Sequence, residues 1–129
     1  MPQPAAKQGD RVVATDLHLI KPAPPPAPPV LVPHPFDGVI SSNCVATVTI
    51  EGKPAAVVGS VAINRPHLPI GGTFVIPPRN QGTVFKGSTT VMIGGRPAAR
   101  AGDPALTCND PVDVAVGQVV ATSTVLIGG

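Results

Sequence analysis

The sequence predicts an all-β fold in which three related β-hairpin repeats close into a pseudo-threefold ring through the two chain ends. Three observations predict it. Val, Ile and Thr together number 37 of the 129 residues, 19 of them Val, and β-branched side chains suit a pleated, half-buried surface. No window sustains a 3.6-residue apolar period, which excludes an all-helical fold. One short pattern also recurs along the chain, and its last copy is divided between the two ends. At 12.9 kDa the chain has room for a single domain, residues 1–129. The 18 Pro and 14 Gly would suit a disordered chain, but 43% hydrophobic and only 12% charged residues do not. Pro and Gly are therefore read as punctuation between short elements.

The repeat is read from its two intact copies. Residues 45–56 run Val-Ala-Thr-Val-Thr-Ile-Glu-Gly-Lys-Pro-Ala-Ala, and residues 88–99 run Ser-Thr-Thr-Val-Met-Ile-Gly-Gly-Arg-Pro-Ala-Ala. A third copy starts at Ser123-Thr124-Val125-Leu126-Ile127-Gly128-Gly129 and stops where Pro-Ala-Ala should follow. That half stands at the other end, where Pro4-Ala5-Ala6-Lys7-Gln8-Gly9-Asp10 matches Pro97-Ala98-Ala99-Arg100-Ala101-Gly102-Asp103. The termini are therefore expected to meet and complete the third unit.

Each unit predicts its own local structure. Val48 and Ile50, Val91 and Ile93, and Val125 and Ile127 alternate with the period of a strand. The pairs Glu51-Gly52, Gly94-Gly95 and Gly128-Gly129 supply a tight two-residue turn, and Pro-Ala-Ala opens the return strand. Val39-Ile40, Thr83-Val84-Phe85 and Gln118-Val119-Val120 add a leading β segment to each unit. Facing inward, the three units should stack Val48, Val91 and Val125 in one layer and Ile50, Ile93 and Ile127 in the next.

Composition excludes several functions. Nine scattered Lys and Arg, a net charge of +2 and no Trp or Tyr do not make a nucleic-acid surface. No apolar run reaches the ~20 residues of a membrane helix, and the N-terminus lacks the apolar core of a signal peptide. The chain is expected to be made in the cytoplasm, with its two cysteines free or metal-bound rather than bridged.

A small domain with so few aromatics has a thin core, and a bound metal is one remedy. Gly9-Asp10, Gly59-Ser60 and Gly102-Asp103 each lead into a Pro-rich segment read as an apical loop. The first loop carries His18 and His34, the second His67 and the third Cys108. These four make a closed tetrahedral His3Cys shell of the kind zinc takes. Histidines solvated in loops are the plain alternative, since no HxxxH or CxxC spacing is present. Cys44 aligns with Gly87 and Ala121 and reads as a small buried residue. The stretch 22–35 is an insert within the first loop. Its run Pro22-Ala23-Pro24-Pro25-Pro26-Ala27-Pro28-Pro29 reads as a stiff extended arm, with an SH3-type ligand as the alternative.

Arg96-Pro97-Ala98-Ala99-Arg100, with Gly102-Asp103-Pro104 after it, resembles the PAAR-repeat proteins of type VI secretion and related contractile injection systems. Lys53-Pro54-Ala55-Ala56-Val57 and Pro4-Ala5-Ala6-Lys7 are degenerate copies of the same motif. The resemblance covers nearly the whole chain except the Pro-rich insert; Ser60 departs from it, standing where the family has Asp. It implies a small conical β fold that caps a trimeric valine-glycine-repeat spike. It also implies one structural ion near the point, zinc or iron, held by His18, His34, His67 and Cys108. The spike-facing base is expected to carry Lys53, Pro54, Arg96 and Pro97, with effectors as further, noncovalent partners. The tip would be assembled in the cytoplasm and then carried outside on the spike, aiding membrane puncture. The chain ends within its third repeat, so no fused toxin domain is expected. No catalysis is expected either. A zinc hydrolase needs an open ligand position and a base, and Glu51, the sole Glu, lies on a hairpin turn away from the loops.

Overall fold

The structure is a computed structural model that describes residues 2–22 and 28–128. Among these residues there are thirteen strands: β1 Gln3–Pro4, β2 Arg11–Pro22, β3 Val30–Ser42, β4 Val45–Ile50, β5 Lys53–Ala55, β6 Val61–Ile63, β7 Gly72–Phe74, β8 Gln81–Val84, β9 Met92–Ile93, β10 Arg96–Pro97, β11 Pro104–Thr107, β12 Val114–Val120 and β13 Leu126–Ile127. The described residues contain no helix.

The three repeats are present as three antiparallel ladders with one register. Ile50 pairs with Lys53, Ile93 with Arg96, and Ile127 with Gln3, so β13 and β1 from opposite chain ends complete the third hairpin. In the two covalent hairpins both turn residues have positive φ, Glu51 at 51° with Gly52 at 81°, and Gly94 at 58° with Gly95 at 81°. That is the mirror-image turn whose twist matches the strands it joins, and it is why Gly recurs there.

The Pro-Ala-Ala segments meet on the pseudo-threefold axis. The Ala6 amide donates to the Ala99 carbonyl, Ala99 to Ala56, and Ala56 to Ala6, each at 3.0 Å, which closes a ring of three hydrogen bonds. A second ring runs from Gln8 to Pro54, from Val58 to Pro97 and from Ala101 to Pro4, each at 2.9 Å. Three backbones this close leave no space beyond a methyl group, and Ala6, Ala56 and Ala99 are fully buried. A polar side chain then seals each unit. Asp10 Oδ2 accepts the Lys7 amide at 2.9 Å, Asp103 Oδ2 accepts that of Arg100 at 2.7 Å, and Ser60 Oγ accepts that of Val57 at 2.9 Å. The acids also pair with Lys7 at 3.1 Å and Arg100 at 2.8 Å. In the remaining unit the cation has become Val57 and the acid Ser60, so the hydrogen bond survives without a buried unpaired carboxylate.

From this base the chain rises into a closed six-stranded antiparallel barrel in the order β2-β3-β6-β8-β11-β12, with β12 returning to β2 and β7 added along β2. The leading segments line it, Ile40, Val84 and Val119 pointing inward. Phe36 fills the barrel. A Cβ on Gly38 would lie 2.8 Å from the Phe36 ring and one on Gly82 3.2 Å from it, so these glycines make room for the one large side chain inside.

Two expectations are corrected. Residues 11–38 do not form an irregular loop. Strands β2 and β3 pair without interruption from Arg11↔Val39 to Ile20↔Val30, so His18 and His34 stand on strands and residues 30–35 belong to β3. Pro33 and Pro35 are tolerated because they lie opposite Leu17 and Thr15, on the ladder positions whose backbone groups turn away from the partner strand; Leu17 sends its amide to Asn109 instead. Of the proline run, residues 23–27 lie outside the described residues. The second correction concerns the layers. Ile50 and Ile127 are buried, with Ile93 packed on them beside Ala5, Ala55 and Ala98, but Val48 and Val125 are 38% and 42% exposed. The register shift between Val45 and Thr49 takes Val48 out of the ladder, and of the three valines only Val91 packs against this cluster.

Two outcomes are expected. Ala56→Val should cost about 1–3 kcal/mol in denaturant unfolding, because the two added methyl groups have no space at the axis. Glu51 accepts hydrogen bonds from the Thr124 amide and hydroxyl, both at 3.1 Å, which hold its carboxyl below the usual range. A lowered carboxyl contributes stability above its unfolded-state value and loses it as pH falls through the folded one. Glu51→Gln should therefore lower the melting temperature at pH 7, and the gap from wild type should close below about pH 4.

Candidate metal centre

The centre lies where β2 and β3 rise past the barrel. Alternation puts Val12, Asp16, His18 and Ile20 on the inner face of β2, and His34, Phe36, Gly38 and Ile40 on the inner face of β3. Asp16, His18 and His34 are thus at core positions, and all three are buried. His67 comes from the segment between β6 and β7, where its amide donates to Asn80 Oδ1 at 2.9 Å. Cys108 follows β11 directly. Its segment is tied back to β2 because the Leu17 amide donates to Asn109 Oδ1 at 2.7 Å and the Leu19 amide to Asp110 Oδ2 at 2.6 Å. Phe74 and Phe36 enclose the imidazoles, Phe74 lying 5.7 Å from His18 and 5.5 Å from His34, and Phe36 6.3 Å from His67.

Asp16, His18, His67 and Cys108 each present one donor atom, all within 4.8 Å of one another. Cys108 Sγ is 3.8 Å from His18 Nε2 and 3.3 Å from Asp16 Oδ2, and His67 Nε2 is 3.2 Å from the same oxygen. A tetrahedral ion with bonds of ~2.0–2.3 Å holds its donors about 3.3–3.8 Å apart, so the spacing fits one metal ion. His34 adjoins this group, its ring 5.4 Å from that of His18 and 5.6 Å from that of His67. Its Nδ1 hydrogen-bonds the Val32 carbonyl at 2.8 Å, which leaves the lone pair on Nε2, and that atom is buried without a hydrogen-bond partner among the described residues. A buried orphan nitrogen beside a cluster of ligand-type atoms is what a metal would satisfy. The structure therefore brings together His18, His67 and Cys108 from the sequence-predicted set, sets His34 beside them and adds Asp16. The parity of Asp16 with Val12 and His18 along β2 was the available signal, and it goes unused once the segment is read as a loop.

Burial pushes the Cys108 thiol up to about 11, and the neighbouring Asp16 charge pushes the same way. Burial moves His67 down against the opposing hydrogen bond to Asp16. Near pH 7 the thiol of the metal-free centre thus keeps its proton. A cavity of about 490 Å³ opens onto His18 and Cys108, and the Arg79–Asp113 ion pair lies in its wall.

Residues 76–129 match the family model of the PAAR motif. That part of the chain carries the PAAR motif. The matched span holds the repeat at 88–103 and Cys108, and the ring of hydrogen bonds relates the other two repeats to it. No curated protein matches the chain significantly. The all-β body is compatible with the small conical fold of the PAAR family, which forms the tips of contractile injection spikes and is structural rather than enzymatic.

Metal occupancy of this centre should be strongly pH-dependent. A divalent ion loaded on Cys108 would displace a thiol proton, so the apparent affinity for an added divalent ion should rise roughly tenfold per pH unit between about pH 6 and 8 in chelator competition.

Proposed function

We propose that this PAAR-motif protein is the metal-stiffened tip of a contractile injection spike, capping a trimeric spike protein with its pseudo-threefold base. The observation that carries the reading is the ring of three equivalent repeats. A single chain that meets a homotrimer needs three similar contact surfaces, and an ordinary asymmetric monomer has one. The hairpins surround the axis at one end, and the metal centre stands at the other; Arg11 to His18 alone spans about 23 Å of strand. Lys53, Pro54, Arg96 and Pro97 lie on these hairpins and are the contacts expected from the sequence. Arg96 also binds back on its own chain, its guanidinium reaching the Asn43 carbonyl at 3.3 Å. The outer hairpin positions opposite Pro97 and Pro4 add exposed apolar surface, Met92 at 58% and Leu126 at 60%.

At the apex the ion would be zinc. Thiolate, imidazole and carboxylate gathered in one buried set suit a structural zinc. The four donors come from β2, the segment after β6 and the segment after β11, with His34 of β3 beside them, so one ion would tie together parts of the chain rich in Pro and Gly. Such a point resists bending when the spike is driven forward. In this reading the tip is assembled in the cytoplasm, leaves the cell on the spike and takes effectors as noncovalent cargo.

Two experiments test it. The tip and its cognate spike should form one complex of one tip per trimer in light scattering after size exclusion. Met92→Glu with Leu126→Glu should weaken it at least tenfold, whereas Leu68→Glu, in the apical segment that carries His67, should leave it intact. Purified protein should carry about one zinc per chain, and Cys108→Ser should lose most of it; full retention in that variant would remove Cys108 from the ligand set.

A further inference from the structure

Asp16 is the most unusual buried group in the molecule. Its side chain is fully buried, and among the described residues no Lys or Arg contacts it. Its carboxylate is instead met by four donors: Thr107 Oγ1 at 2.5 Å, Asn109 Nδ2 at 3.3 Å, His67 Nε2 at 3.2 Å and Cys108 Sγ at 3.3 Å. A buried carboxylate without a cation is costly, and proteins keep one where it is paired or faces a metal. The arrangement of donors divides by oxygen. Oδ1 takes Thr107 and Asn109, which are neutral and bind no metal here, while Oδ2 faces only the metal-ligand atoms of His67 and Cys108.

We propose that Asp16 is the charge-balancing carboxylate of the metal centre. The proposal rests on the metal-tip reading and deepens it. A divalent ion held by neutral imidazoles and the Cys108 thiolate leaves one net positive charge in a buried site. Asp16 cancels that charge within the donor group, while the other buried carboxylate nearby, Asp110, lies outside the group, 3.5 Å from His18 Nδ1 and accepting the Leu19 amide. Its Oδ1 is anchored by Thr107 and Asn109, so the carboxylate need not reorganise on loading, and its Oδ2 meanwhile keeps His67 and Cys108 gathered around the position the ion takes. The site is accordingly built for a divalent ion that accepts nitrogen, sulfur and oxygen together. A monovalent soft ion would leave a buried net negative charge.

The test uses Asp16→Asn, which keeps the shape and one acceptor but removes the charge, beside Thr107→Val, which removes a neutral donor and leaves the charge. Zinc affinity is read by chelator competition, and the zinc-induced rise in melting temperature is read on the same stripped samples. Asp16→Asn should lose about 100-fold in affinity with a smaller zinc-induced rise, while Thr107→Val, which loosens the anchor and keeps the charge, should lose about tenfold or less. Asp16→Asn binding zinc within twofold of wild type overturns the proposal. So does an equal loss of melting temperature with and without zinc, because a purely structural hydrogen-bond acceptor behaves that way. If Asp16→Asn folds only when expressed with zinc, loss of the ion at chelator concentrations that leave wild type loaded supports the proposal, and retention sinks it. No folded Asp16→Asn under either condition, with Thr107→Val folded, also counts against it. Wild type that binds no zinc at any concentration is a separate result: it refutes the metal-tip reading itself, and Asp16 falls with it.

Discussion

The ring of hydrogen bonds among Ala6, Ala56 and Ala99 is the constraint on which the molecule is built. Three amides and three carbonyls are buried on one axis, and each is satisfied only by the next repeat. That requirement forces the backbones together and fixes alanine at the contact. It also joins the two ends of the chain, because the segment holding Ala6 must reach the repeat that begins at Ser123. The hairpins below the ring and the barrel strands above it keep their threefold relation because all of them start from those three points. The Gly9, Gly59 and Gly102 amides even send matching hydrogen bonds to Ile40, Val84 and Val119.

The candidate centre forms where that symmetry is abandoned. One unit extends its strands far past the barrel and contributes Asp16, His18 and His34, while the second contributes His67 and the third Cys108. Strand alternation makes this possible, since residues two apart share a face and polar residues at core parity have to meet something inside. Phe36 separates the two regimes. Below it the barrel is filled by Ala, Val and Ile; above it the interior is imidazole, carboxylate and thiol, closed laterally by Phe74. A chain with this layout has its apolar core and its polar core stacked along one axis.

Much of this could be read before any coordinates. Repeated Val-x-Ile, the Gly pairs and Pro-Ala-Ala encode hairpins through local backbone preference and period-two burial, and self-similarity encodes the ring, down to the unit split between Gly128 and Pro4. Ligand-type residues were also visible as types, because His and Cys are few in this chain. Their environment was not. Pro33 and Pro35 make β3 look irregular, and only the pairing partner reveals that their missing amides fall where the ladder needs none. Asp16 looks like any strand-edge acid until Thr107 and Cys108, some ninety residues away, close over it.

The sequence by itself determined the all-β class, the three hairpins, their closure through the termini and the identity of three residues in the donor group, because each of these follows from short-range pattern. Only the tertiary structure decided that Ile50, Ile93 and Ile127 form the inner layer without Val48 and Val125, that His18 and His34 stand on strands, and that Asp16 joins the group. Those outcomes depend on how much space remains when distant segments converge, and no local pattern carries that quantity.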